Sequence, residues 1–222
     1  IKIIIGLLKT SSDITIDNLI LDDTNLYEIR KRIGVVFDNL DNSFLCETVE
    51  DDIAFTLENL CYSKSSIHKR IDELSDMLDI KDILNKSSNE LSGGEKFKAA
   101  LACALVHNPK ILIIDESLSL VDSYEKKNIL KLLNKLNKNG LTIINITHDL
   151  CESYLSDRLI VLNDGQIILD GEPLKVMEYD KVFNRIGLEL PFEIELSMKL
   201  KLYGLLEQNM TDIKEMVDVL WE

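Results

Sequence analysis

Two segments, LSGGE at residues 91–95 and ILIIDE at residues 111–116, say most about the architecture of this chain. The first has two glycines before an alanine-rich stretch, so its backbone N–H groups and the helix dipole favour a bound anion. The second is an apolar run without alternation, which predicts a strand buried on both faces of a parallel sheet. Its closing carboxylates, Asp115 and Glu116, fall at the sheet edge where ligands of α/β proteins bind. Together they favour a protein that handles a nucleotide γ-phosphate.

Each of these residues also has a purely structural interpretation. Ser92, Gly93 and Gly94 either bind phosphate or form an ordinary helix start after a turn. Asp115 and Glu116 either bind Mg²⁺ and activate an attacking water, respectively, or are two exposed acids in a turn. The apolar strand before the two acids favours the functional interpretation.

Two more polar residues stand near the ends of predicted strands. His148 follows a second apolar run, residues 141–146, which predicts another buried strand. It either contacts a transferring γ-phosphoryl group or is structural, as His68 and His107 are taken to be. Asp122 either bridges two halves of a dimer, caps the helix that follows it, or does both.

Bulk properties narrow the function classes. With 222 residues, 45% of them hydrophobic, the chain can form one large domain or a domain with an extension. Its net charge of −14 argues against nucleic acid or an anionic membrane as a direct partner. The four cysteines lack metal-ligand spacing and predict reduced thiols. No apolar stretch is long enough to cross a bilayer, so any link to a membrane needs a partner protein.

Periodicity and turn signals predict the surrounding elements. Residues 1–8 are expected to be the tail of a buried helix, residues 65–79 a helix with one apolar face, and residues 96–107 a helix that begins just after the glycine pair. DG at residues 164–165 predicts a β-hairpin.

The C-terminal part is expected to hold short helices. Pro191 and Gly204 are expected to bracket one of them, and Thr211 is expected to cap the last. This tail is either a packing extension or a dimer contact.

In this order the segments resemble the ATP-binding subunit of an ABC transporter. Residues 91–95 resemble the ABC signature, residues 111–116 the Walker B strand, residues 119–122 the D-loop, and His148 the switch histidine. The resemblance covers nearly the whole chain. It implies an α/β P-loop NTPase fold of the ABC ATPase type with a mainly parallel core sheet.

The same resemblance implies two parts of the chain. An ABC ATPase domain without its N-terminal strands and phosphate loop is expected over residues 1–172, with a helical subdomain at about residues 48–92. A mostly helical C-terminal extension is expected over residues 173–222.

Three stretches are similar to those of the energy-coupling factor (ECF) transporter ATPases, which include the cobalt-type importers. Residues 36–44 resemble the Q-loop segment of that subgroup, residues 48–55 the run after it, and residues 187–192 through 216–221 its C-terminal extension. The similarity implies an ATP-hydrolysing motor for uptake of cobalt or nickel ions or a vitamin.

Partners and location follow from this similarity. Two ATPase subunits, identical or different, are expected to face each other head to tail with two ATP molecules between them. A transmembrane coupling subunit would dock near residues 38–55, where Phe44 and Leu45 are the expected exposed contacts. A separate membrane protein would capture the substrate, and the ATPase would be peripheral at the cytoplasmic face of the membrane.

The resemblance also assigns residue roles at an ATP site shared by the two subunits. The expected ATP-binding residues are Ser92, Gly93, Gly94, Glu95 and Asp122. Of these, Ser92 and Gly94 are expected to contact the γ-phosphate of the ATP bound to the partner subunit. The expected Mg²⁺ residues are Asp115 and Asp38, and the expected catalytic residues are Glu116 and His148.

Several positions depart from the family's pattern. Asp38 replaces the Q-loop glutamine, Glu95 the last glutamine of the signature, Ser117 a proline, and Lys98 an arginine. No G-x-x-x-x-G-K-[ST] phosphate loop is present, and residues 1–8 match the helix that starts at the lysine of that loop. The chain is therefore either a fragment of a longer product, which we favour, or a degraded subunit.

Two other functions compete with that of a motor. One is a non-catalytic subunit that supplies only the signature to its partner's ATP. The other is a soluble ABC ATPase of DNA repair or translation, which the acidic charge and the lack of coiled-coil insertions or tandem domains disfavour.

We expect the 222-residue chain alone to bind ATP weakly and to show no useful turnover, because it has no phosphate loop to hold the β- and γ-phosphates. Isothermal titration calorimetry with Mg-ATP checks this expectation. A micromolar dissociation constant would contradict it.

Overall fold

The computed structural model describes residues 1–221. Their contacts divide the chain into two compact units, one ending at Ile146 and the other beginning at Thr147. The domain boundary expected after residue 172 stays a prediction. Within the described residues, no helix combines the length and the apolar composition needed to cross a membrane.

The first unit alternates strands and helices. Its elements are β1 (Thr15–Ile16), β2 (Leu19–Ile20), α1 (Leu26–Arg30), β3 (Ile33–Val36), α2 (Val49–Asn59), α3 (Lys64–Leu78), α4 (Gly93–Leu105), β4 (Ile111–Asp115), α5 (Ser123–Lys138) and β5 (Thr142–Ile146). Short 3-10 turns cover residues 40–43, 81–83, 88–90 and 117–120.

A parallel sheet with the order β3-β4-β5 forms the centre of this unit. Val36 lies opposite Ile114 on one side of β4, and Asp115 lies opposite Ile146 on the other. Residues 112–114 are fully buried, as the run of apolar residues predicts. The expected α/β class with a parallel core is confirmed.

The expectation of a fully buried strand is wrong for β5. Ile144 and Ile146 are 40% and 37% exposed, whereas Ile143 packs against the core. β4 is the only strand among the described residues that pairs with β5, so β5 is an edge strand with one covered face. An apolar run does not by itself reveal whether its second face is covered.

The expectation of a buried helix at residues 1–8 is also wrong. This segment forms turns in which Ile5 is buried and Leu7 and Leu8 are more than half exposed. Gly6 has φ +70°, a left-handed conformation that ends a helical turn.

A short hairpin of β1 and β2 was not predicted. Asp17 and Asn18 form its turn with φ of +47° and +65°, which suits a two-residue type I′ connection. The Asp17 carboxylate accepts from Lys110 Nζ at 2.8 Å and also pairs with Arg32, and these contacts, led by the hydrogen bond from Lys110, hold its pKa below the ordinary value. The hairpin is thereby tied to the starts of β3 and β4.

Helices α2, α3 and α4 of the first unit pack against one another. The predicted apolar face of α3 is confirmed, since Ile67, Ile71, Leu74 and Leu78 are all buried. On another side of α3, Arg70 donates from Nε to the Val106 carbonyl and from Nη2 to the Leu105 carbonyl, both at 3.1 Å. Arg70 thus caps the C-terminal end of α4.

The second unit begins with a hairpin and continues with helices. Its elements are β6 (Leu159–Asn163), β7 (Gln166–Gly171), α6 (Pro173–Met177), α7 (Asp180–Ile186), α8 (Phe192–Leu202) and α9 (Ile213–Trp221). The hairpin turn at Asp164-Gly165 and the bracketing of α8 by Pro191 and Gly204 are as expected. The second unit has a small hydrophobic core of its own, which includes Val161, Met177, Phe183 and Ile194.

The expected cap of α9 is off by one residue. Asp212 Oδ1, and not Thr211, accepts from the backbone N–H groups of Lys214 and Glu215, at 2.7 and 3.4 Å. Carboxylates compete well for this position because they also complement the helix dipole.

Burial lowers the pKa of His107, which follows α4, below its ordinary value. The unfolded chain therefore binds more protons than the folded chain below about pH 6.5, and stability falls as the pH drops through that value. The carboxylates with lowered pKa values, such as Asp17, lose their stabilising effect only at more acidic pH.

We expect His107→Gln to reduce the stability lost between about pH 7.5 and pH 5.5, because a neutral amide takes up no proton. Urea unfolding of wild type and variant at both pH values measures this. His68→Gln is the control, since the His68 side chain is 71% exposed. An equal pH-dependent loss in wild type and in His107→Gln would contradict the assignment.

Candidate functional site

The start of α4 is closed by a reciprocal cap. Ser92 Oγ accepts from the Glu95 N–H at 3.2 Å, and Glu95 Oε2 accepts from the Ser92 N–H at 2.8 Å. The bond from the Ser92 N–H holds the pKa of Glu95 below its ordinary value. Lys86 Nζ lies 3.4 Å from the other carboxylate oxygen. Glu95 is therefore an anionic capping residue that stabilises the first turn of α4.

The two glycines lie inside the first turn of α4, so the expectation that the helix begins after them is wrong. A Cβ atom on Gly93 would lie 2.3 Å from the Leu120 carbonyl oxygen. A Cβ atom on Gly94 would lie 1.7 Å from Glu125 Oε2. At Gly93 the close atom belongs to the backbone, so packing requires glycine there, whereas at Gly94 a larger residue would displace the Glu125 side chain.

Asp115 and Glu116 lie where the sequence predicts, at the carboxyl end of β4. The Glu116 N–H donates to the Ile146 carbonyl at 2.9 Å and extends the β4–β5 ladder by one bond. Glu116 has φ +50°, which is uncommon for a residue other than glycine and is found in particular at functional sites. Both acids are partly buried.

The segment after Glu116 turns sharply into α5. Ser117 is fully buried, and its Oγ has no hydrogen-bond partner among the described residues. Ser119 Oγ donates to the Glu116 carbonyl at 3.0 Å. Asp122 Oδ1 accepts from the N–H groups of Tyr124 and Glu125, both at 3.0 Å, so Asp122 caps α5, while its role between subunits stays a prediction.

Asp38 is exposed and lies two residues beyond β3. Because β3 and β4 are parallel, Asp38, which follows β3, and Asp115, the last residue of β4, lie at strand ends on the same edge of the sheet. The described residues contain no group of three or more side chains able to hold a metal ion. Two carboxylates suit Mg²⁺, which takes one or two protein oxygens and completes its shell with phosphate oxygens and water.

His148 belongs to the second unit and is exposed, two residues beyond the end of β5. A turn follows it, in which the Asp149 N–H donates to Thr147 Oγ1 at 2.9 Å and Asp149 Oδ1 accepts from the Cys151 N–H at 2.9 Å. Its assignment to a γ-phosphate stays a prediction.

The Q-loop segment, residues 36–44, leads into a loop that α2 holds in place. Asp52, which is only 7% exposed, accepts from the N–H groups of Leu45 and Cys46 at 2.8 and 3.0 Å. Leu45 is 74% exposed, as expected, but Phe44 is partly buried against the core, so the expectation that it is an exposed contact is wrong. Sequence reasoning missed Asp52, although a carboxylate in a first helical turn is a common anchor for a loop.

Two lysines of α4 form ion pairs that the sequence does not reveal. Lys96 Nζ pairs with Asp41, a 70% exposed residue in the Q-loop segment. Lys98 Nζ lies 2.9 Å from Glu125 Oε1, and both of these side chains are less than one quarter exposed. The start of α4 is thus tied both to the Q-loop segment and to α5.

Comparison with known proteins identifies similar sequences. A family model described as ABC transporter matches residues 1–119. The energy-coupling factor transporter ATP-binding protein EcfA of Pediococcus pentosaceus is 41% identical over 184 residues, which are 82% of this chain and 66% of that protein. EcfA1 of Bacillus subtilis is 37% identical over 217 residues, which are 97% of this chain and 77% of that protein. The chain thus spans only part of the length of these relatives.

Solved structures with the same fold include cbiO1 from Clostridium perfringens, described as part of the ABC transporter complex cbiONQ. It has a TM-score of 0.74 at 33% identity and covers 86% of this chain and 78% of its own. A dimeric ATP-binding cassette in a post-hydrolysis state with ADP and Pi has a TM-score of 0.69 at 32% identity, over 78% of each chain.

We expect Ser117→Ala to raise the free energy of unfolding by about 1 kcal/mol, because a buried hydroxyl without a partner carries a desolvation penalty. Ser119→Ala, which removes a formed hydrogen bond two residues away, is the matched control and should bring no gain. Urea unfolding measures both variants. A loss of stability in Ser117→Ala would show that the hydroxyl is satisfied.

Proposed function

Since the chain belongs to the ABC transporter family of ATPases and is similar to its ECF ATP-binding proteins, we propose that it is part of the ATP-hydrolysing motor subunit of an ECF-type importer. The observation that carries the proposal is the carboxyl edge of β4. There, Asp115 and Glu116 follow three fully buried residues of the strand, and the main chain of Glu116 is hydrogen-bonded to the end of β5.

Three acidic residues at this edge serve Mg-ATP held by the same subunit. Asp115, with Asp38 at the end of the neighbouring parallel strand, binds Mg²⁺ directly or through water. When bound, Mg²⁺ neutralises phosphate charge. Glu116 orients and deprotonates the attacking water, and His148 contacts the γ-phosphate and responds to its loss.

The start of α4 serves the ATP of the other subunit. Ser92 is exposed at the N-terminal end of α4. The first N–H groups of a helix have no carbonyl acceptor within that helix, and the helix dipole favours an anion at this end. Ser92 and Gly94 contact the γ-phosphate of the partner subunit's ATP, and Asp122 faces that subunit. Closure of the two subunits on ATP then favours one transporter conformation, and hydrolysis releases it.

The partners are a second ABC ATPase subunit, a transmembrane coupling subunit and a membrane protein that captures cobalt or nickel ions or a vitamin. Exposed Leu45, on the loop that Asp52 anchors, supports docking of the coupling subunit beside α2. The names of two relatives, an ATP-binding protein of a transporter and a part of a transporter complex, support assembly with transporter subunits. In this assembly the ATPase is peripheral at the cytoplasmic face of the membrane. Exposed apolar residues of α9, such as Val217 and Trp221, support a dimer contact at the C-terminal end.

A non-catalytic subunit that contributes only its signature is the alternative. Asp38 favours it, because an acid in place of the family's glutamine adds negative charge beside the phosphates and removes an amide donor. An assembled transporter whose turnover is unaffected by any change at Glu116 would fit this alternative.

In the full-length protein assembled with its partners, we expect Glu116→Gln to abolish hydrolysis and to leave ATP binding intact, because the amide cannot accept the proton of the attacking water. Steady-state ATPase assays and equilibrium binding of ATP measure the two effects. Glu207→Gln, which removes an exposed carboxylate of the second unit, is the control. An unchanged turnover number in Glu116→Gln would remove this residue from its role.

A further inference from the structure

The N-terminal ends of α4 and α5 meet within the first unit through a pair of opposite charges. Lys98 on the second turn of α4 and Glu125 on the first turn of α5 lie 2.9 Å apart, from Nζ to Oε1. Because both side chains are largely shielded from water, their attraction is screened less than that of an ordinary surface pair.

The packing around this pair leaves little freedom for either helix. The Glu125 carboxylate lies against Gly94, so close that a methyl group there would overlap Oε2. The Leu120 carbonyl lies against Gly93 in the same way. One side chain and one backbone group therefore set the spacing between the two segments.

Glu125 also connects this contact to the residue that begins α5. Its N–H donates to Asp122 Oδ1 at 3.0 Å, while its carboxylate bonds Lys98. A continuous set of contacts thus runs from the Ser92–Gly94 turn through Lys98 and Glu125 to Asp122.

We propose that Lys98 and Glu125 are positioning residues for ATP hydrolysis, which hold the signature segment (91–95) and the D-loop segment (119–122) of one subunit at a fixed spacing. The inference rests on the proposed function, in which both segments face the second subunit. A spacing error at either segment would prevent the closed pair from aligning its two sites. The pair touches no substrate and acts through Gly94 and Asp122.

The same helix provides a control. Lys96 lies two residues earlier on α4 and also forms an ion pair, but its partner Asp41 is 70% exposed. Loss of this pair removes the same charge from the same helix without releasing α5.

The test uses the full-length protein in its assembled complex. Lys98→Met, Glu125→Gln, the double charge reversal Lys98→Glu with Glu125→Lys, and Lys96→Met are compared for turnover number and for equilibrium ATP affinity. We expect each single change at the pair to lower the turnover number by roughly fivefold while ATP affinity changes by less than about twofold. The charge reversal should recover at least about half of the wild-type rate, and Lys96→Met should lower the rate by less than about twofold.

A second measurement does not depend on catalysis. The loss in melting temperature caused by Gly94→Ala should be smaller when Glu125→Ala is also present, because the colliding carboxylate is then gone. Additive losses would show that Glu125 does not press against Gly94, and would overturn the packing on which the inference rests.

The remaining outcomes separate this inference from the proposed function. Unchanged turnover in Lys98→Met and Glu125→Gln, an equal loss in Lys96→Met, or a matching loss of ATP affinity each overturns the positioning role while leaving the motor function in place. Turnover that survives Glu116→Gln overturns the proposed function and this inference together.

Discussion

Burial of β4 between two parallel neighbours is the constraint from which the arrangement of the first unit follows. Residues 112–114 are inaccessible to water, so these three positions admit no charge and the strand does not tolerate a shift in register. The first positions that tolerate carboxylates are therefore Asp115 and Glu116, at the end of the strand. Because β3 and β5 run in the same direction, their carboxyl ends lie at that edge too, and the Ile146 carbonyl is available to fix the main chain of Glu116.

Helix α4 crosses this unit as its second organising element, and both of its ends are held by charged groups. Ser92 and Glu95 close its N-terminal end, and Arg70 satisfies carbonyls at its C-terminal end. The Glu95 carboxylate and the Arg70 guanidinium are each opposite in sign to the partial charge of the helix end that they meet, which stabilises the helix. Lys96 and Lys98 then connect the same helix to the Q-loop segment and to α5. A helix fixed in this way moves with its neighbours, which suits a part that transmits closure from one segment to another.

Sequence reasoning succeeded where one local pattern determines the outcome. The apolar face of α3 follows from 3.6-residue spacing, the turn at Asp164-Gly165 from the φ values that these residues tolerate, and the location of Asp115 from the end of an apolar run. It failed where the outcome depends on what lies opposite. The exposed face of β5, the anchoring of Leu45 by Asp52 and the contact of Glu125 with Gly94 join residues whose spacing carries no periodic signal. Such contacts become visible only in three dimensions.

The glycine pair shows how two physical requirements can share one short motif. Backbone N–H groups that no side chain covers favour an anion at the N-terminal end of a helix. From the sequence alone, this is the reason to expect two adjacent glycines there. The structure adds a second requirement, since the Leu120 carbonyl and the Glu125 carboxylate occupy the space of the two missing side chains. Gly93 and Gly94 differ in the group that a larger residue would displace. At Gly93 a methyl group meets backbone, which can yield only if the D-loop segment moves, whereas at Gly94 it meets the end of a flexible side chain, which can yield by breaking the ion pair with Lys98. A change at either glycine therefore alters the spacing of the two segments as well as the surface offered to phosphate, and loss of activity on its own does not distinguish the two causes.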